Sequence, residues 1–141
     1  MVERDYIMRL VQDFANMLAK LLRFKVEEPD MTQVQERFND MYRQFFRRTA
    51  VYFYEMDKED IIEELAKDEL SKSEQCAMIQ MLSELLYQDG LIKKDVSEKC
   101  MLLEKALFLF SYLEQNSGTF SWDREQKMVD IQNNLTFYRF N

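Results

Sequence analysis

The apolar residues near the start of the chain follow the spacing of an amphipathic helix. They recur three or four residues apart, at Ile7, Leu10, Val11, Phe14, Met17, Leu18 and Leu21. Because an α-helix turns once in about 3.6 residues, this spacing gathers them in one stripe. The pattern predicts a first helix over about residues 3 to 23. A connector from Lys25 to Asp30 follows it, in which Pro29 removes a backbone donor.

A second, more aromatic stripe follows the proline. Its members share helical spacing and are Val34, Phe38, Met41, Phe45 and Tyr52, widened by Tyr42, Phe46 and Phe53. Asp30 or Thr32 supplies the oxygen that caps a helix start. The stripe therefore predicts one continuous second helix, which ends where the apolar pattern lapses near Glu55. Asp57 then caps a short helix from Lys58 to about Lys67.

The second half of the chain predicts a pair of long helices. Ser71 or Ser73 begins the first, and Gly90 stands where a helix end favours a left-handed residue. The next helix runs from about Asp95 to Gln115. Its apolar positions cover more than one stripe, which is typical of a helix packed on two neighbours. We interpret it as the central helix of the fold.

A last helix follows the turn Asn116-Ser117-Gly118. Ser121 is its predicted cap, and Met128, Ile131 and Leu135 are its predicted inner face. The fold class is thus all-α: an irregular antiparallel stack of five main helices and one short helix, forming a single domain over residues 1–141. With only two glycines and one proline, the chain lacks the turn residues of β-folds and the Gly-rich loops of nucleotide sites.

The amino-acid composition limits the functions that this chain can have. The sequence has no histidine, the commonest general base and transition-metal ligand, so we expect no catalytic residue, no cofactor and no metal. The net charge of −7 opposes binding to phosphate backbones, so nucleic acid is not an expected partner. No signal peptide or membrane span fits the charged N-terminal segment. We therefore expect a cytoplasmic protein whose two cysteines, Cys76 and Cys100, are reduced and buried.

Two charged clusters allow a functional or a structural interpretation. The stretch from Glu55 to Glu69 holds eight acidic residues, for which a solvated helix face is favoured over a cation site. Arg43, Arg47 and Arg48 lie among aromatic residues, a mixture that can stack bases or grip an acidic peptide. The favoured alternative places the aromatic side chains in the core and pairs the arginines with the acidic stretch.

Part of the chain resembles a tetratricopeptide repeat. The residues at the large, small and glycine offsets of its first helix are Ile79, Leu82, Ser83, Leu86 and Gly90, with Leu103 and Ala106 in the second helix. Over most of its length the chain also resembles an uncharacterised bacterial family of short, tetratricopeptide-like helical proteins. The matching segments are residues 4–9, 38–46, 82–87, 105–107 and 119–124. The resemblance implies a helical-repeat fold in the C-terminal half and, by analogy, a role in protein interaction.

These patterns predict a non-catalytic interaction or scaffold module that binds a protein, a peptide or a second copy of itself. Its ten methionines suit adaptable contacts. The predicted partner-contact residues are Tyr6, Phe46, Tyr54, Trp122, Phe137 and Tyr138. Two alternatives stay open. One is a small enzyme that uses Glu, Lys and Tyr instead of histidine, and the other is a transcription-associated regulator that uses the three arginines.

Overall fold

The computed structural model describes the backbone of residues 2–140 and the side chains of residues 5–140. This part of the chain is helical apart from short connectors. In chain order its seven helices are α1 (Val2–Glu27), α2 (Met31–Phe46), α3 (Ala50–Glu55), α4 (Lys58–Ala66), α5 (Lys72–Ile92), α6 (Val96–Asn116) and α7 (Trp122–Phe140). The predicted all-α class is confirmed.

Within residues 2–140, the helices form two compact units that are divided between Met56 and Asp57. Each unit has its own buried apolar side chains. Unit 1 holds α1 to α3 and unit 2 holds α4 to α7. Contacts between residues concentrate within each unit.

An antiparallel helix pair, α1 and α2, builds unit 1. Pro29 lies in its three-residue connector, as predicted, and the Asp30 side chain accepts the backbone N–H of Thr32 at 3.0 Å, which caps α2. The ring of Phe14 on α1 meets Phe45 on α2 edge-on, with 5.2 Å between centroids. The aromatic side chains of α2 are therefore core, as their helical spacing indicates, but Tyr52, predicted in the same stripe, lies on α3 and is 44% exposed.

The prediction of one continuous second helix is wrong, because the chain turns at Arg47. This residue adopts a left-handed conformation with φ of 57°. Thr49 then caps α3 by accepting the N–H of Tyr52 at 3.2 Å. The turn brings the rings of Phe46 and Phe53 to 5.9 Å. In a straight helix, residues seven apart are separated by about 10 Å along the axis, so only the break permits this contact.

Unit 2 is organised around the antiparallel pair α5 and α6, against which α4 packs. A capping box starts α5: Ser71 Oγ accepts the N–H of Glu74 at 3.2 Å, and the Glu74 carboxylate accepts the N–H of Ser71 at 3.0 Å. Asp95 caps α6 by accepting the N–H of Glu98 at 2.9 Å. These caps begin both helices where the sequence predicts them.

Gly90 has a different role from the predicted one. It lies inside α5, which continues to Ile92, and it does not take a left-handed conformation. A Cβ atom at this position would lie 3.1 Å from Leu103 Cδ2 and 3.2 Å from Leu102 Cβ. Gly90 therefore serves the close approach of α6 to α5. Gly118, with φ of 73°, supplies the left-handed residue of the turn before α7.

Both cysteines are free thiols, but neither is fully buried. Cys76 and Cys100 are partly exposed, which corrects the expectation of two core cysteines. Cys76 lines an open groove between α5 and the end of α6, which leaves this thiol partly accessible to solvent. Within residues 2–140, no helix combines the length and apolarity that crossing a bilayer requires.

Candidate interaction surface on the last helix

The inner face of α7 packs on the rest of unit 2 through apolar side chains. Ile131 is fully buried and Leu135 nearly so, as their spacing predicts, while Met128 is half-buried. Ser121 Oγ accepts the N–H of Arg124 at 3.1 Å and caps the helix at its predicted start. The helix therefore has one side that is committed to the core.

A buried ion pair fixes the N-terminal end of α7. The Arg124 side chain is 4% exposed, and its Nε donates to Glu114 Oε1 on α6 at 2.6 Å. Its Nη2 donates to the backbone oxygen of Thr119 at 2.7 Å. Because a buried guanidinium without partners is costly, these bonds determine how the helix leaves the preceding turn.

A second polar cluster joins α7 to α5. Lys127 Nζ donates to both carboxylate oxygens of Glu84 at 2.6 Å and to Asp123 Oδ2 at 2.8 Å. Burial raises the pKa of Glu84, and Lys127 only partly opposes this. Burial also opposes the charge of Lys127, but the two carboxylates outweigh it and raise the pKa of the ammonium. Lys127 therefore remains charged and bridges the helices.

The third link is the hydroxyl of Tyr87 on α5, which donates to Asp130 Oδ2 on α7 at 2.5 Å. Burial raises the pKa of Tyr87 above its ordinary value, and the hydrogen bond to the Asp130 carboxylate raises it further. The phenol therefore keeps its proton in the folded protein at a pH where an unfolded chain begins to lose it. Three polar links of this kind fix the rotation of α7 about its axis.

The Tyr87 link predicts a stability loss at alkaline pH. The folded state holds the phenolic proton more tightly than the unfolded chain, so stability falls as pH rises above about 10, the ordinary tyrosine pKa. We expect Tyr87→Phe to be less stable than the parent near pH 8, with a shallower decline between pH 9 and 11. Urea unfolding at several pH values measures this, and parallel declines in both proteins would contradict it.

The opposite side of α7 is exposed and carries no charge. We call it the outer face. Its members share helical spacing and solvent exposure and are Trp122, Gln126, Val129, Asn133, Thr136, Phe137 and Phe140. Trp122 is 67%, Phe137 58% and Phe140 81% exposed. Large apolar side chains are therefore aligned along a helix whose other side is already buried.

An aromatic pair and a groove lie where α6 turns into α7. Phe120 is 71% exposed, and its ring lies 6.5 Å from that of Trp122. Next to this pair, an open groove of about 610 Å³ runs between α5 and the end of α6. Thr119 and Arg124 belong to its lining, together with Cys76 and Gln80 of α5. The groove thus borders the turn that precedes α7, and its described lining includes no residue of the outer face.

The predicted contact residues on α7 divide between two positions. Trp122 and Phe137 both lie on the outer face. Tyr138 is half-buried, and Lys99 Nζ of α6 lies 5.5 Å from its ring centroid, so this residue packs toward α6. The sequence reasoning missed Phe120, Val129 and Phe140. The signal that identifies the last two is the second apolar stripe of α7, opposite Ile131 and Leu135.

The remaining predicted contact residues belong to unit 1. Phe46 is 1% exposed and packs against Phe14 and Phe53, so its selection as a surface residue is wrong. It belongs to the aromatic stripe of α2 that forms the core. Tyr54 is half-buried, and its hydroxyl accepts a hydrogen bond from Gln35 Nε2 at 3.2 Å. Tyr6 is exposed on α1.

The three arginines also belong to unit 1 and surround an open cavity of about 520 Å³ that Tyr52 lines as well. Arg43 forms an ion pair with Asp40 on its own helix at 2.6 Å, outside the acidic stretch predicted to neutralise it. Arg48 Nη1 donates to the backbone oxygen of Phe46 at 2.7 Å. The Arg48 bond spans the turn between α2 and α3, whereas the Arg43 pair lies within α2.

Comparison with protein-family models, curated proteins and solved structures finds no match to this chain. Among the side chains that the structure describes, no three Cys, Asp or Glu groups are arranged to hold a metal ion. Every buried polar side-chain atom in this part of the molecule has a hydrogen-bond partner.

Proposed function

We propose that this protein is a cytoplasmic protein-interaction module and that the outer face of α7 is its docking surface. The observation that carries the proposal is the alignment of Trp122, Val129, Phe137 and Phe140 on an exposed, uncharged helix face. Contiguous apolar surface on a soluble protein is typical of binding sites, and aromatic residues supply much of the energy at such sites.

The stacking of helices in unit 2 supports a helical-repeat interpretation. α5 and α6 are antiparallel, and α7 returns alongside both, since Lys127 contacts Glu84 and Arg124 contacts Glu114. In a helical stack each element covers its neighbour. The outer face of α7 carries four exposed apolar side chains among three uncharged polar ones, which favours a further helix as its binding partner.

We expect Val129→Glu to abolish docking on this face, because it places a charge at the centre of an apolar contact. Val96→Glu is a matched control: Val96 and Val129 are both 45% exposed, and Val96 lies on α6. The parent protein and both variants are immobilised and incubated with a cytoplasmic extract of the native cell. The result we expect is a partner that the parent and Val96→Glu retain and Val129→Glu loses.

Fluorescence locates the contact, since Trp122 is the only tryptophan in the chain. When a tryptophan-free partner segment is added and covers the exposed indole of Trp122, we expect its fluorescence emission to shift to shorter wavelength. A parent protein that stays monomeric in light scattering and retains nothing that Val129→Glu loses would refute the proposed function. An unchanged Trp122 spectrum on addition of a retained partner would place the docking surface elsewhere.

A further inference from the structure

The outer face of α7 has the spacing of a coiled-coil seam. Its central line is Trp122, Gln126, Val129, Asn133, Thr136 and Phe140. Successive members are separated by 4, 3, 4, 3 and 4 residues, which is the alternation of the a and d positions in a heptad repeat. The seam spans the whole helix, about 27 Å at 1.5 Å per residue. All six side chains are exposed.

The spacing of this seam reads the same in both directions along the helix. We infer that α7 pairs with α7 of a second copy in antiparallel orientation, with a two-fold axis passing beside residue 131. In that register Trp122 meets Phe140 of the second copy at each end, and Val129 meets Asn133 near the axis. The inference rests on the proposed function and names the partner as the protein itself. A two-fold axis makes both aromatic contacts equivalent, as in an isologous dimer.

Charge favours the antiparallel orientation. One edge of the outer face carries Glu125 near the start of α7 and Arg139 near its end. Antiparallel helices bring the same edge of both copies together, so Glu125 approaches Arg139 of the second copy, which also pairs with Glu104 on α6 of its own chain. The opposite edge brings Asp130 near its own counterpart, but that carboxylate is hydrogen-bonded within its own chain. Parallel helices would instead bring Glu125 toward the acidic edge that carries Asp123 and Asp130. The helix dipoles also oppose each other favourably in the antiparallel arrangement.

The available area fits a modest dimer. An aromatic side chain buries about 150–250 Å², so the exposed fractions of Trp122, Phe137 and Phe140, with Val129, offer roughly 400–600 Å² per copy. The three polar side chains of the seam add to this. A specific interface buries at least about 600 Å² on each partner. We therefore expect a dimer that dissociates in the micromolar range.

Sedimentation velocity of the full chain over a range of concentrations tests the pairing. We expect a reversible monomer–dimer equilibrium for the parent and for Val96→Glu. Val129→Glu is expected to weaken association on the order of 100-fold or more, because it places a carboxylate at both central contacts with Asn133, with the two like charges only about 6 Å apart along the axis. Circular dichroism and urea unfolding verify that Val129→Glu still folds. Asn133→Lys gives an independent second disruption of the same seam.

Crosslinking tests the orientation. In a chain whose Cys76 and Cys100 are replaced by alanine, Gln126→Cys is mixed with Thr136→Cys, one of them carrying a size tag. The antiparallel register places residue 126 opposite residue 136, so the mixed pair is expected to form a disulfide. Identical residues 126 would lie about 15 Å apart along the axis, beyond the roughly 7 Å between Cα atoms of a disulfide. Crosslinking of Gln126→Cys with itself instead would overturn the orientation.

A parent protein that is monomeric at every concentration would overturn the pairing, as would a dimer that survives both Val129→Glu and Asn133→Lys. Neither result by itself refutes the proposed function. That proposal fails only if the parent also retains no partner that Val129→Glu loses. A monomeric parent whose α7 face captures a different helix would thus refute self-pairing alone.

Discussion

Replacing Phe46 with alanine is expected to destabilise the protein by about 3–5 kcal/mol. The side chain is almost fully buried, and its ring lies 6.4 Å from Phe14 and 5.9 Å from Phe53. Removing it leaves a cavity among three helices whose backbone positions are set by the turn at Arg47. Because natural domains are stable by about 5–15 kcal/mol, this is a large fraction of the total.

Chemical unfolding measures this loss, and Phe120→Ala is the matched control. Phe120 is 71% exposed, so its replacement is expected to change stability by less than about 0.5 kcal/mol. In the interaction assay we expect Phe120→Ala to weaken docking, since Phe120 adjoins the outer face of α7. We expect Phe46→Ala to retain docking, since Phe46 belongs to the core of unit 1. Equal stability losses in the two variants would contradict the burial assigned to Phe46.

The second large effect is expected at Gly90. Gly90→Val should destabilise unit 2 by about 2–3 kcal/mol, since added atoms overpack the contact between α5 and α6. Even a single Cβ would lie 3.1–3.3 Å from side-chain atoms of Leu102 and Leu103. Both leucines are fully buried, so neither has free space into which to move. The higher helix propensity of valine offsets only a few tenths of a kcal/mol.

Gly118→Ala separates this packing effect from a backbone effect. Gly118 has φ of 73°, and a Cβ added there would have no atom within 4 Å. Gly118→Ala is therefore expected to lower the free energy of unfolding by about 1–2 kcal/mol through backbone strain alone. Urea midpoints of both variants give the comparison. A Gly90→Val protein as stable as the parent would mean that α5 and α6 are not in close contact at this point.

The helices themselves were predictable because their signals are local. The predicted caps Asp30, Ser71 and Ser121 and the predicted start at Asp95 each begin a helix of the structure and accept a capping hydrogen bond there. Asp57 also precedes a helix, but its side chain accepts no capping hydrogen bond, so this predicted cap is wrong. The predicted connector around Pro29 and the turn at Gly118 are present as well. Capping and periodicity depend on residues within one or two turns, so the sequence alone carries this information.

The break at Arg47 was not predictable in this way. Arginine is a good helix former, and the apolar stripe continues through it toward Phe53. The turn allows the ring of Phe53 to contact those of Phe46 and Tyr42, and these contacts stabilise the left-handed conformation of Arg47. A tertiary contact therefore outweighs a local preference worth about 1–2 kcal/mol.

The outer face of α7 shows most clearly what the sequence determines and what the tertiary structure decides. By itself the sequence predicted a helix with Met128, Ile131 and Leu135 on its inner face, and the structure buries that side. The same helix carries a second apolar stripe, Trp122, Val129 and Phe140, and helical spacing alone does not exclude its burial. The tertiary structure decided this, because Arg124, Lys127 and Asp130 find partners on α6 and α5 only when the Ile131 side faces inward. Those partners, Glu114, Glu84 and Tyr87, lie 10 to 43 residues away in the chain, beyond the range of any helical pattern.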